Sequence, residues 1–79
     1  MYLEIITPDK KVFSGDVVSV LVPGAAGQFQ LLNNHAPIIS TLITGKVKVK
    51  TGKEELEFSV KAGVVEMINN KVVLLAESV

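Results

Sequence analysis

Apolar residues in this chain recur at every second position or in short runs, and nowhere keep the 3.6-residue spacing of a helix. Turn residues interrupt them roughly every six to ten positions, the rhythm of a sandwich or barrel of short strands. Valine and isoleucine dominate the runs, as suits a pleated, half-buried surface. The first strand is read at Tyr2 to Thr7 and ends at Pro8-Asp9. Short strands follow at Lys11 to Phe13, Asp16 to Val22, Gln28 to Leu32 and Pro37 to Leu42. The loop between the third and fourth is Pro23-Gly24-Ala25-Ala26-Gly27. Two hairpins close the chain, Lys46–Lys50 with Glu55–Val60 and Val64–Ile68 with Lys71–Ala76. The inner faces are expected to carry Val18, Val20, Phe29, Leu31, Val47, Val49, Leu56, Phe58, Val65 and Leu74.

One hairpin can be placed in register from its charges. A two-residue loop at Gly52-Lys53 sets Lys50 opposite Glu55 and Lys48 opposite Glu57. The same register sets Val49 opposite Leu56 and Val47 opposite Phe58, so all charges share one face. A slip of one residue would destroy both matches. The last hairpin turns at Asn69-Asn70, because Asn tolerates the positive φ of a type I′ turn best after Gly.

Seventy-nine residues make one domain at most. Eight lysines balance eight acids and there is no arginine, so the net charge is zero. Such a surface exerts no long-range pull on nucleic acid or anionic lipid. The aromatics Tyr2, Phe13, Phe29 and Phe58 are scattered, whereas base-stacking platforms cluster them on a basic face. A neutral chain that is 48% apolar is poorly protected against association, which points to life in a complex. The absence of cysteine excludes disulfides and thiolate metal sites and favours an intracellular compartment. No signal peptide is visible after Met1, and no run approaches the roughly 20 apolar residues of a membrane-spanning helix.

Chemistry-bearing patterns are sparse. His35 is the only histidine, and none of Ser14, Ser19, Ser40, Ser59 or Ser78 sits in a nucleophile elbow. A packing or interface role therefore outweighs a catalytic one for His35. Asp9, Asp16 and the glutamates form no metal-ligand run. Gly24-Ala25-Ala26-Gly27 lacks the lysine and following helix of a phosphate loop. No cofactor is expected. The competing reading is an independent small β-barrel that binds a ligand or uses His35 in hydrolysis, although so short a chain leaves little room for a ligand pocket.

Several segments together carry a family likeness. Leu3-Glu4-Ile5-Ile6-Thr7-Pro8 followed by Val12-Phe13-Ser14-Gly15 resembles the start of ATP synthase epsilon subunits. Val18-Ser19-Val20-Leu21-Val22-Pro23-Gly24 with Gly27 is similar as well. His35-Ala36-Pro37-Ile38-Ile39 resembles the family's Gly-His-Ala-Pro-Leu-Leu segment. Gly45-Lys46-Val47, Ala62-Gly63-Val64-Val65-Glu66 and Val72-Val73-Leu74-Leu75-Ala76 match later parts of it, so the likeness spans residues 1–79 as a single domain.

The resemblance implies an all-β fold, a flattened sandwich or barrel of about ten short strands in two sheets. It implies a non-catalytic central-stalk subunit of an ATP synthase driven by protons or sodium. Its partners would be the gamma subunit and the polar loops of the rotor ring, with no nucleic acid, nucleotide or direct membrane insertion. Its place would be peripheral, on the cytoplasmic face of a bacterial cell membrane. By the same resemblance, Gly24, Ala25, Ala26, Gly27, Gln28 and Gln30 would meet the ring, and Thr7, His35, Pro37, Ile38 and Ser40 would meet gamma. Gln28 stands where the family usually has an acid, Gln30 replaces a usual glycine, and Asn33-Asn34 replaces the usual Pro-Gly. The ring contact should then rest on hydrogen bonds and shape rather than on an ion pair. Many family members continue into a helical hairpin; Ser78-Val79 precede any such segment, so a naturally short chain and a fragment of a longer one both fit.

Overall fold

The computed structural model describes residues 1–79 and contains strands and turns but no helix. The strands are β1 (Tyr2–Ile6), β2 (Lys11–Asp16), β3 (Ser19–Gly24), β4 (Gly27–Leu32), β5 (Ile38–Leu42), β6 (Gly45–Lys50), β7 (Glu55–Ile68) and β8 (Lys71–Ser78). They form one hydrogen-bonded path, β2-β1-β8-β7-β5-β3-β4, with β6 bridging β3 and β7. The body measures 25 × 24 × 18 Å. Every pairing is antiparallel except β1 with β8, which runs parallel from Tyr2↔Lys71 to Ile6↔Leu75.

Eight strands stand in place of the nine placed along the sequence and the about ten that the resemblance implies; one is lost because β7 is a single strand of 14 residues. The sequence reading broke it at Lys61-Ala62-Gly63, where the glycine signals a turn. Gly63 instead permits close approach: a Cβ there would lie 2.1 Å from the Leu75 carbonyl oxygen. The chain bends at Ala62, whose φ is +42°. Before the bend β7 pairs with β6 and beyond it with β5, while the pairing with β8 runs from Lys61↔Ser78 across the bend to Ile68↔Lys71. β5 and β6 follow each other along β7 in a single register, interrupted only at Ile43-Thr44. The network thus folds over at this corner into two layers.

The layers enclose a core in which Leu3, Ile5, Val20, Val22, Leu31, Val47, Val49, Val65, Met67, Val72 and Leu74 are fully buried. Six of the expected inner residues are among them: Val20, Leu31, Val47, Val49, Val65 and Leu74. Phe29, Leu56 and Phe58 are half-buried and pack on the core's margin, where Phe58 meets Phe13 edge to face at 5.8 Å. Val18 is the miss; it is 50% exposed and Val17 is buried instead. The N–H of Val17 donates to Met1 O at 2.8 Å and that of Val18 to Lys50 O at 2.7 Å, ahead of the ladder that begins at Ser19. Alternation therefore does not run through these two valines.

Both hairpin expectations hold. Lys50 lies opposite Glu55, Lys48 opposite Glu57, Val49 opposite Leu56 and Val47 opposite Phe58. The loop closes with Thr51 N–H donating to Glu54 O at 2.9 Å around Gly52-Lys53. Asn69 and Asn70 take φ of +50° and +61°, as a type I′ turn requires.

Candidate functional site

No group of three or more metal-ligating side chains converges in the fold. His35 is exposed, and its Nδ1 lies 2.8 Å from the Ala36 carbonyl oxygen. A carbonyl only accepts, so this bond places the proton on Nδ1. No hydroxyl or carboxylate side chain bonds to the ring, and the elements of a nucleophilic triad are not assembled.

Apart from Thr7, the residues assigned to partners fall into two regions. The first is the β3–β4 hairpin. Its ladder runs on to Gly24↔Gly27, so only Ala25-Ala26 form the turn, a tighter tip than the loop read from the sequence. Neither alanine has positive φ, so the turn is not of a primed type; Gly27, at φ +132°, supplies the compensating conformation. The N–H of Ala25 donates to Thr41 O and that of Ile43 to Pro23 O, both at 2.9 Å, pinning the tip beside the end of β5. Ala25, Ala26, Gly27, Gln28 and Gln30 are exposed. Gly24, by contrast, is buried and leaves no space for a side chain: a Cβ would stand 2.6 Å from the Phe29 ring. It shapes the hairpin from beneath.

The second region begins at the turn Leu32-Asn33-Asn34-His35, closed by His35 N–H to Leu32 O at 3.1 Å. Only Asn34 has positive φ (+59°), the pattern of a type II turn. Pro and Gly are the natural residues of its two central positions, so Asn33-Asn34 is a chemical equivalent of Pro-Gly. The Asn33 side chain and the Asn34 backbone take on a further task. Asn33 Oδ1 accepts from Met1 N at 2.8 Å, and Asn34 N–H donates to Asn70 Oδ1 at 2.8 Å. His35 and Pro37 are exposed, while Ile38 and Ser40 are half-buried on the inward-facing side of β5. Thr7 is not brought near them. Through Ile6↔Leu75, Val64↔Leu75 and Thr41↔Val64 it belongs to the Thr41 end of the sheet, three strands from β5. It is also only 8% exposed, and its hydroxyl donates to Lys10 O at 3.3 Å. Thr7 therefore closes a turn and has little surface to offer a partner.

A third feature escaped sequence reasoning. The outer face of β1, β8, β7 and β5 is largely apolar: Ile39 is 68% exposed, Ile68 53% and Leu75 51%. Its charges are unevenly neutralised. Glu4 accepts from Lys11 at 2.8 Å and Lys71 at 3.4 Å, whereas Glu66 and Glu77 have no ion-pair partner. The paired lysines hold the Glu4 carboxyl below its ordinary pKa, and Glu4 in turn raises that of Lys11. Two hollows indent this side. One of about 410 Å³ is lined by Ile6, Thr7, Pro8, Gly63, Val64, Leu75, Ala76 and Glu77. The other, of about 240 Å³, is lined by Pro37, Ile38, Ile39, Glu66, Met67 and Ile68. The larger one corrects the expectation that so small a chain lacks room for a ligand-sized pocket. It is an open groove on the outer surface, however, and His35 does not line it.

These surfaces take on meaning from the chain's relatives. Residues 1–79 match the ATP synthase delta/epsilon chain beta-sandwich domain from end to end. The chain belongs to this family. An ATP synthase epsilon chain from Chlorobium limicola is 44% identical over 78 residues, covering 98% of this chain and 89% of that one. The same fold is found in a chain of the Euglena gracilis mitochondrial ATP synthase, with a TM-score of 0.90 at 15% identity. That match covers 96% of this epsilon-type chain and 49% of the other. A chain from the central stalk and c-ring of Tetrahymena thermophila mitochondrial ATP synthase matches with a TM-score of 0.81 at 15% identity, covering 95% and 61%.

Proposed function

We propose that this epsilon-type chain is a non-catalytic central-stalk subunit that binds gamma on one side and the rotor ring on another, coupling proton or sodium flow to ATP synthesis. The observation that carries the reading is the unpartnered apolar face of β5, β7 and β8, in a chain whose inner faces already form a complete core. Partner interfaces combine an apolar centre with polar anchors, and Ile39 and Ile68, with Glu66 opposite Ile39 and His35 at the same end of β5, supply both. The gamma contact is assigned to His35, Pro37 and the adjoining outer face. The ring contact is assigned to the tip from Ala25 to Gln28. A rotor that transmits torque needs contacts on a stiff body, and β3, one arm of the hairpin, is tied into the sheet by β5 and β6. The test is co-purification of the tagged chain with gamma and ring subunits encoded in the same genome. Recovery of both supports the assignment, and recovery of neither overturns it.

A further inference from the structure

We infer that the hollow between β5 and β7 seats an arginine side chain of the gamma subunit, with Glu66 as the carboxylate that receives it. The inference rests on the gamma-docking reading above and names the chemistry of that contact. Glu66 lies in the middle of the outer face, between Ile39 of β5 and Val73 of β8 in the ladder. The nearest lysine by register is Lys71, opposite Ile68, and its ammonium is held by Glu4 at 3.4 Å. The molecule's four ion pairs use Glu4 twice, Glu55 and Glu57, which leaves Glu66 unpaired. While the face is open, water solvates this carboxylate. A partner that covers the surrounding isoleucines removes that water, and an unpaired buried charge is strongly unfavourable. A partner that brings a cation offsets that penalty. The walls decide which one. Ile39, Ile68 and Pro37 offer apolar surface to a long aliphatic stem, with the acceptor at one side of the hollow. A flat, weakly hydrated guanidinium that can engage both carboxylate oxygens fits that arrangement better than a compact, strongly hydrated ammonium.

The experiment measures binding of gamma to the intact chain by titration calorimetry, for wild type, Glu66→Gln, Glu66→Arg and Ile39→Ser. Glu66 and Ile39 are exposed, so all variants should melt as wild type does. Glu66→Gln should weaken gamma binding about tenfold or more, and Glu66→Arg further, since truncating one partner of a desolvated pair raises the off-rate. A screen of gamma variants should yield one Arg→Glu change that restores binding to the Glu66→Arg chain. Failure of the wild-type chain to bind gamma overturns the docking reading and the inference with it. Normal binding by Glu66→Gln, with loss in Ile39→Ser, leaves the docking reading standing and overturns the ion pair. Rescue that maps to a gamma lysine overturns the choice of arginine.

Discussion

Asn34 holds a left-handed backbone (φ +59°) while donating its N–H to Asn70, so its side chain and its backbone can be tested apart. Asn34→Gly should leave stability nearly unchanged, because glycine adopts this conformation freely. Asn34→Ala should cost about 1–2 kcal/mol, the penalty of an ordinary side chain in the left-handed region. Urea denaturation of the two variants distinguishes backbone strain from loss of the amide. Leu74 poses the contrasting case. It is fully buried against the same core as Leu3 and Met67, and Leu74→Ala should cost about 2–5 kcal/mol. Phe58→Ala should cost less than a fully buried ring would, since Phe58 sits half-exposed at the margin. At Glu4 the lowered carboxyl pKa means that the folded state binds this proton less readily than the unfolded chain. Its contribution is therefore fully present above the ordinary carboxylate range and fades as pH falls through the lowered value. The raised pKa of Lys11 has the opposite sense, contributing below its ordinary value and fading at strongly alkaline pH. Glu4→Gln should flatten the acid limb of a melting-temperature profile without moving its neutral plateau by much, because the lysines it meets are exposed.

The β6–β7 hairpin was legible from the sequence down to its register, because charged and apolar residues alternate there in perfect phase on both arms. The ion pairs that announced it contribute little to its stability. Lys46 reaches Glu57 at 3.3 Å and Lys50 reaches Glu55 at 3.9 Å, all with side chains about half exposed or more. Lys46→Ala and Lys50→Ala should each change stability by about 0–1 kcal/mol, and thermal melts in high salt should barely move. The corner in β7 was not legible. Gly63 reads as a turn until its neighbour is known, and that neighbour, Leu75, lies on a strand whose pairing no local signal reveals. The outer apolar face was hidden for a related reason. In Val64-Val65 and Val72-Val73-Leu74-Leu75 both phases of the alternation are apolar, so period two cannot say which side faces the core. The parallel pairing of β1 with β8 decides it: Leu3 and Ile5 turn inward with Val72 and Leu74, leaving Ile6 and Leu75 outward.

Across the whole molecule the two assigned contacts are well separated. The Ala25-Ala26 tip is pinned beside Thr41 and Ile43, at the far end of β5 from His35. Residues 38 to 42 alone span about 13 Å of strand at roughly 3.3 Å per residue, so one substitution should not disturb both surfaces. Variants at the two ends should accordingly fail in different ways. Ile39→Asp places a charge on the surface proposed to meet gamma and should reduce retention of the chain on gamma, so that the subunit is lost from purified complexes. Gln28→Lys lies on an exposed position at the tip and should leave the chain on gamma while weakening its grip on the ring. In membranes that variant should hydrolyse ATP at an undiminished rate with less ion pumped per ATP. The two contacts should also differ in their response to salt. Ala25, Ala26, Gly27 and Gln28 are uncharged, so raising the ionic strength should loosen the tip only mildly. The Glu66 contact, by contrast, should form more slowly in salt, since screening acts on the approach of opposite charges. Pumping and hydrolysis measured in parallel on the same membranes check the assignment. If Gln28→Lys pumps normally and Ile39→Asp stays on gamma, neither surface has the role given to it. If Gln28→Lys is itself lost from gamma, the tip belongs to the gamma contact and the ring must be met elsewhere on the sandwich.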